Sequence, residues 1–72
     1  MKVYTLEHHF DGGGSLCSVH GSFRDALSMV PRALIGRMFR AYDAARDKGK
    51  WSTSYDDSGA TSWYEIREWE IE

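Results

Sequence analysis

The sequence is poor in the features that mark secreted and membrane-spanning proteins. Its 72 residues include one cysteine, Cys17, which excludes an intrachain disulfide framework and favours a reducing, intracellular compartment. Lys2 is followed by Glu7 and two histidines rather than by an apolar run, so we expect no secretory signal peptide. No stretch approaches the roughly 18 apolar residues of a membrane-spanning helix. These absences predict a cytoplasmic protein that has no membrane partner.

The sequence also lacks a catalytic motif. Three consecutive glycines at 12–14 are not followed by the Lys-Ser/Thr pair of a phosphate-binding loop. The length allows a single domain over 1–72 and leaves no room for a separate cofactor module. Ten aromatic residues and 42% hydrophobic residues nevertheless predict a folded chain rather than a disordered tail. We therefore expect a small folded protein that is not an enzyme and needs no cofactor.

Alternating apolar residues predict that the chain begins with a β-hairpin. Residues 1–10 alternate well enough to form a strand, with Leu6 on one of its faces. The glycines in 11–14 then allow a tight loop, since they adopt left-handed conformations at little steric cost. Residues 15–20 form the returning strand of the hairpin.

Capping signals predict two helices after the hairpin. Ser22, with an acidic residue three positions later, is typical of a helix N-terminus and predicts a first helix over 23–29. Pro31 ends this helix and suits the first turn of the next one. Apolar residues at helical spacing predict a second helix over 32–47, which Gly49 closes.

The last third of the chain returns to strand composition. Large and small residues alternate over 51–55, a turn is predicted at 56–59, and a long strand follows over 62–71. Ile66 and Trp69 fall in opposite phases, so either a β-bulge lies between them or both faces of the strand carry large apolar groups. The order ββααββ predicts an α+β fold, a small antiparallel sheet with two helices packed on one face.

Four potential metal ligands lie within thirteen residues, His8, His9, Cys17 and His20. The predicted hairpin register pairs His8 with Cys17 on the core face and directs His9 and His20 to the opposite face. No three of the four converge in this arrangement, whereas a zinc site needs four ligands, or three and a water. The sequence therefore predicts no metal site.

Charge is strongly segregated along the chain. Residues 24–50 hold seven cations against three anions, a net charge of +4, whereas 51–72 hold one cation against six anions, a net charge of −5. In the last strand, acidic residues recur at every second position, which spaces them about 7 Å apart along one side. An intervening tryptophan would supply an apolar anchor. The candidate partner-binding residues are Asp56, Asp57, Glu65, Glu68, Glu70 and Trp69, and the expected partner is a protein or ribonucleoprotein complex with a basic groove.

Other hypotheses remain open. In one, the basic helix and the acidic strands each present a solvated charged face, and these faces pair with each other. In another, the acidic residues protect a sheet edge from aggregation. Alternatively, the basic second helix binds nucleic acid through Arg37 and Arg40, which lie three residues apart on one side. A homodimer that joins its edge strands would enlarge the thin core expected of so short a chain.

In size, aromatic content, charge polarity and lack of a catalytic motif, the chain resembles phage- or mobile-element-borne inhibitors of bacterial defence, such as anti-CRISPR proteins. The resemblance implies a non-catalytic protein in the cytoplasm of a bacterial host cell. It also implies inhibition by occlusion, in which acidic residues cover the nucleic-acid-binding surface of a larger complex. No motif carries the resemblance, so it assigns a role to no individual residue.

Overall fold

Strands and helices follow one another in the predicted ββααββ order. The computed structural model describes residues 1–10, 13–57 and 60–72, and the side chains of 1–10, 13–54 and 62–72. Its elements are β1 (Lys2–Phe10), β2 (Gly13–His20), α1 (Phe23–Leu27), α2 (Arg32–Ala44), a 3-10 helix (Arg46–Lys48), β3 (Lys50–Asp57) and β4 (Ala60–Glu70). The turn predicted at 56–59 is wrong at positions 56 and 57, which belong to β3, and its remaining positions 58–59 lie outside the described residues.

The first and last strands form the centre of a four-stranded antiparallel sheet with the order β2-β1-β4-β3. β1 and β4 pair without interruption from Lys2 opposite Glu70 to Phe10 opposite Ser62. No bulge therefore separates Ile66 from Trp69, and large apolar side chains occupy both faces of β4. The acidic last strand lies between two neighbours rather than at a sheet edge.

The register of the hairpin differs from the predicted one. His8 pairs with Ser15 rather than with Cys17, because β2 begins at Gly13, inside the expected loop. The pairing then shifts by one residue, which makes Cys17 a bulged and exposed residue. As a result, the Val19 side chain points away from the helices. The predicted pairing of His8 with Cys17 on the core face is wrong.

Both helices pack on one face of the sheet. Leu6, Ile66 and Trp51 lie side by side on three neighbouring strands, and each is at least 98% buried. The buried helix-side residues that cover them are Phe23, Ala26, Val30, Leu34 and Met38. This arrangement confirms the α+β fold with helices on one face.

The helix ends follow the predicted signals, although both helices are shorter than expected. The Ser22 hydroxyl oxygen accepts a hydrogen bond from the backbone N–H of Asp25 at 3.1 Å and so caps α1. After α2 the chain turns into the 3-10 helix, which Gly49 ends with a φ of 74°. The indole N–H of Trp51 donates to the Ala45 carbonyl at 2.7 Å and satisfies an acceptor near this helix end. No helix in the described part of the chain has both the length and the apolar character to cross a membrane.

We predict that Met38→Ala lowers the free energy of unfolding by about 2–5 kcal/mol, because the fully buried side chain leaves a cavity at the centre of a small core. Met29→Ala is the matched control, since this methionine is 59% exposed and its truncation should change stability by less than about 0.5 kcal/mol. Urea denaturation followed by circular dichroism measures both. Equal effects of the two substitutions would contradict the described core.

Candidate functional site

One face of the sheet carries no helix within the described residues. Side chains alternate along a strand, so this face consists of every second residue of each strand. We call it the open face, and its members on β1, β2 and β4 are Val3, Thr5, Glu7, His9, Leu16, Val19, Trp63, Glu65, Arg67 and Trp69.

Large apolar side chains reach solvent on the open face. Leu16 is 60% exposed, Val19 58% and Trp69 43%. The Trp69 ring is nevertheless held in place, because its indole N–H donates to the Thr5 hydroxyl at 2.9 Å and the Arg67 guanidinium lies 5.3 Å from its ring centre. The open face therefore presents an aromatic side chain whose orientation is already fixed.

Charged side chains occupy the middle of the open face. Glu7 and Glu65 lie directly opposite each other on β1 and β4. His9 Nε2 lies 3.0 Å from Glu7 Oε1, and Arg67 Nη2 donates to Glu65 Oε2 at 2.7 Å. Trp63 stacks on the His9 ring at a centroid distance of 5.2 Å. We call Glu7, His9, Glu65 and Arg67 the polar cluster.

The acidic residues predicted to bind a partner do not share one face. Glu65 and Trp69 lie on the open face, whereas Glu68 and Glu70 point to the helix side, because they occupy positions of the opposite phase in the same strand. Residues 56–57 end β3, and their side chains lie outside the described part of the chain. The carboxylates of β4 therefore form two separate groups, one on each face of the sheet.

Glu68 and Glu70 contact positive groups at the start of the chain. The Tyr4 hydroxyl donates to Glu68 Oε2 at 3.0 Å, and Lys2 Nζ lies 3.3 Å from Glu68 Oε1. Glu70 lies 3.4 Å from the amino group of Met1, and its side chain remains 63% exposed. Glu70 is accessible to a partner, whereas the Glu68 carboxylate is already engaged by Tyr4 and Lys2.

The two arginines of the alternative hypothesis belong to α2. Arg37 and Arg40 are both exposed, and Arg37 Nη1 donates to the Ser54 carbonyl at 3.5 Å. Within the described residues no carboxylate lies within 4.0 Å of either guanidinium. Their charges are therefore not neutralised by ion pairs in the described structure.

The histidines occupy three separate environments. His8 stacks on Tyr64 at 4.3 Å on the helix side, and His9 belongs to the polar cluster. His20 Nδ1 lies 2.8 Å from Asp25 Oδ2, which links β2 to α1. His20 was predicted to face the same side as His9. It faces the helices instead, because the bulge in β2 changes the phase of the strand.

A cleft of about 590 Å³ opens between β1 and the two helices. Tyr4 and Tyr42 line it with aromatic rings, and Lys2 and Arg24 bring positive charge to it. Burial, and then the hydrogen bond to Glu68, raises the pKa of the Tyr4 hydroxyl above its usual value. This hydroxyl therefore acts as a hydrogen-bond donor at neutral pH and not as a base.

The raised pKa of Tyr4 predicts a loss of stability in alkali. Below about pH 10, the unfolded-state value, Tyr4 is protonated in both states and its contribution is fully present. Above that pH the unfolded chain loses this proton first, so the free energy of unfolding falls until the folded-state pKa is passed. Tyr4→Phe should make the alkaline decline less steep. Urea denaturation of the wild type and of Tyr4→Phe over a pH series tests this.

Comparisons with known proteins identify no relative of this chain. No protein-family model matches it, and neither a curated protein nor a solved structure matches it significantly. Its functional assignment therefore depends on the chemistry of its own described residues.

Proposed function

We propose that this is a non-catalytic binding protein that covers a surface of a larger protein or ribonucleoprotein complex, and that it makes contact through the open face. The observation that supports the proposal is the exposure of Leu16, Val19 and Trp69 together on a sheet face that no described helix covers. Exposed groups of large apolar side chains on a small domain are typical of interaction surfaces.

Trp69 is the anchor of the proposed contact. Tryptophan and arginine are enriched among the residues that dominate binding energy. The hydrogen bond to Thr5 and the contact with Arg67 already restrict the Trp69 side chain, so little conformational entropy is lost when a partner covers the ring.

Negative charge at the end of β4 favours a partner with a basic groove. Glu70 and Glu72 are exposed and follow Trp69 in the chain. They belong to the segment 51–72, which carries a net charge of −5. Complementary charge mainly raises the rate of encounter and selects the partner, while the apolar anchor slows dissociation. Complexes that bind nucleic acid present such grooves, and an inhibitor of the anti-CRISPR type would act by filling one.

We predict that the protein blocks target-DNA binding by a purified CRISPR effector complex at a ratio of about one molecule per complex. Trp69→Ala should weaken inhibition at least about tenfold, which corresponds to about 1.4 kcal/mol. Glu70→Lys changes a charge on the helix side of the same strand, so it should weaken inhibition less, by slowing the encounter with a basic partner. Glu70 is the better site for charge reversal than Glu68, because a lysine at 68 would lose the hydrogen bond from Tyr4 and face Lys2. Inhibition curves from a mobility shift of labelled target DNA measure the effect.

Phe39→Ala is the matched control. Phe39 is 47% exposed, similar to Trp69, but it belongs to α2 on the other side of the sheet. Equal losses from Phe39→Ala and Trp69→Ala would contradict the open face as the contact surface. Inhibition by far less than one molecule per complex would contradict a non-catalytic mode of action, and inhibition of no complex would contradict the proposed class.

The second candidate function is nucleic-acid association through Arg37 and Arg40. The observation that favours it is that neither guanidinium has a carboxylate partner within the described residues. Direct phosphate contacts predict affinity that falls steeply with salt, and Arg37→Ala with Arg40→Ala should lower the slope by about two. A mobility-shift titration over a salt series measures this, and a slope near zero would contradict direct phosphate binding.

A further inference from the structure

We infer that Glu7, His9 and Glu65 form a binding site for a divalent transition-metal ion on the open face. Each residue offers one ligand atom, and the three atoms lie within 4.8 Å of one another. Zinc bonds of about 2.1 Å require tetrahedral ligands to be roughly 3.4 Å apart, a distance that small rotations of these side chains reach. The inference does not depend on the proposed partner.

The His9 ring is held with Nε2 directed at the carboxylates. Trp63 stacks on it with an interplanar angle of 8°, and Nε2 lies 3.0 Å from Glu7 Oε1. The backbone of Gly14 passes close to the opposite edge of the imidazole ring, so that a Cβ atom at position 14 would lie 2.5 Å from His9 Nδ1. This fixed orientation reduces the entropy that a ligand loses when it binds a metal.

The charges of the polar cluster favour an added cation. Two carboxylates directly opposite each other in a sheet repel, and Glu7 and Glu65 are four-fifths or more buried, which strengthens the repulsion. Arg67 compensates one of these charges. With a neutral His9 the cluster therefore carries a net charge of −1, which attracts a cation.

The donor set determines the class of metal. An imidazole nitrogen with two carboxylate oxygens suits Zn²⁺, Co²⁺ and Ni²⁺, whereas Mg²⁺ prefers oxygen ligands and retains its water. The contacts of the cluster engage Oε1 of Glu7 and Oε2 of Glu65, and each carboxylate has a further oxygen with two lone pairs. Three protein ligands leave a fourth position for water on the solvent side.

The test is titration of the tag-free protein with Zn²⁺ by calorimetry and with Co²⁺ by visible absorption. We expect binding of one ion of either metal and none of Mg²⁺. His9→Ala and Glu7→Gln should weaken binding at least about tenfold, because the first removes a ligand and the second removes the negative charge of one. His20→Ala is the control, because His20 lies with Asp25 beside α1 and should leave the affinity unchanged.

A second pair of variants tests the orientation of His9 without removing a ligand. Gly14→Ala forces the imidazole away from its present position, whereas a Cβ atom at Gly13 meets no described atom within 4 Å. We expect Gly14→Ala to weaken Zn²⁺ binding at least about tenfold, a loss similar to those measured for residues that orient metal ligands. Gly13→Ala should bind as the wild type does.

Three results would overturn the inference. They are no Zn²⁺ binding by the wild-type chain at millimolar metal, wild-type affinity in Glu7→Gln, and loss of binding in His20→Ala. Circular dichroism shows which variants are folded. If His9→Ala does not fold, Glu7→Gln and Glu65→Gln test the metal site in its place, because they keep the shape of the side chains and remove only the charge.

Discussion

The pairing of β1 with β4 is the interaction on which the rest of this structure depends. It joins the two ends of the sequence along nine consecutive residue pairs and makes them the centre of the sheet. On one side it places Leu6 beside Ile66 at the base of the core. On the other it places Glu7 opposite Glu65, so the same register creates both the hydrophobic core and the polar cluster.

Local sequence patterns were sufficient to predict the elements. Ser22 and Pro31 mark helix ends because capping and the fixed φ of proline act within a few residues. The order of the strands could not be predicted in the same way, because alternation shows which residues share a face and not which strand lies alongside. The hairpin register was missed for a related reason, since the loop length was assumed and the bulge at Cys17 has no sequence signal.

The candidate site was predicted only in part. Trp69 and Glu65 were identified from composition, and they do share the open face. Spacing along the chain grouped them with Glu68 and Glu70, although the phase of the strand separates the two sets. Glu7 and His9 were not connected with Glu65 because Glu65 follows Glu7 by 58 positions in the sequence, and only the sheet brings the three residues together. The one available signal was the Glu-x-His spacing on a single strand face.

The bulge at Cys17 limits how copies of this protein can join each other. β2 is an outer strand of the sheet, and its free backbone groups would otherwise accept a strand from a neighbouring molecule. A bulge twists the strand and interrupts the regular spacing of those groups. A second chain could therefore follow β2 for only a few residues, which opposes the growth of continuous fibres from this side of the molecule.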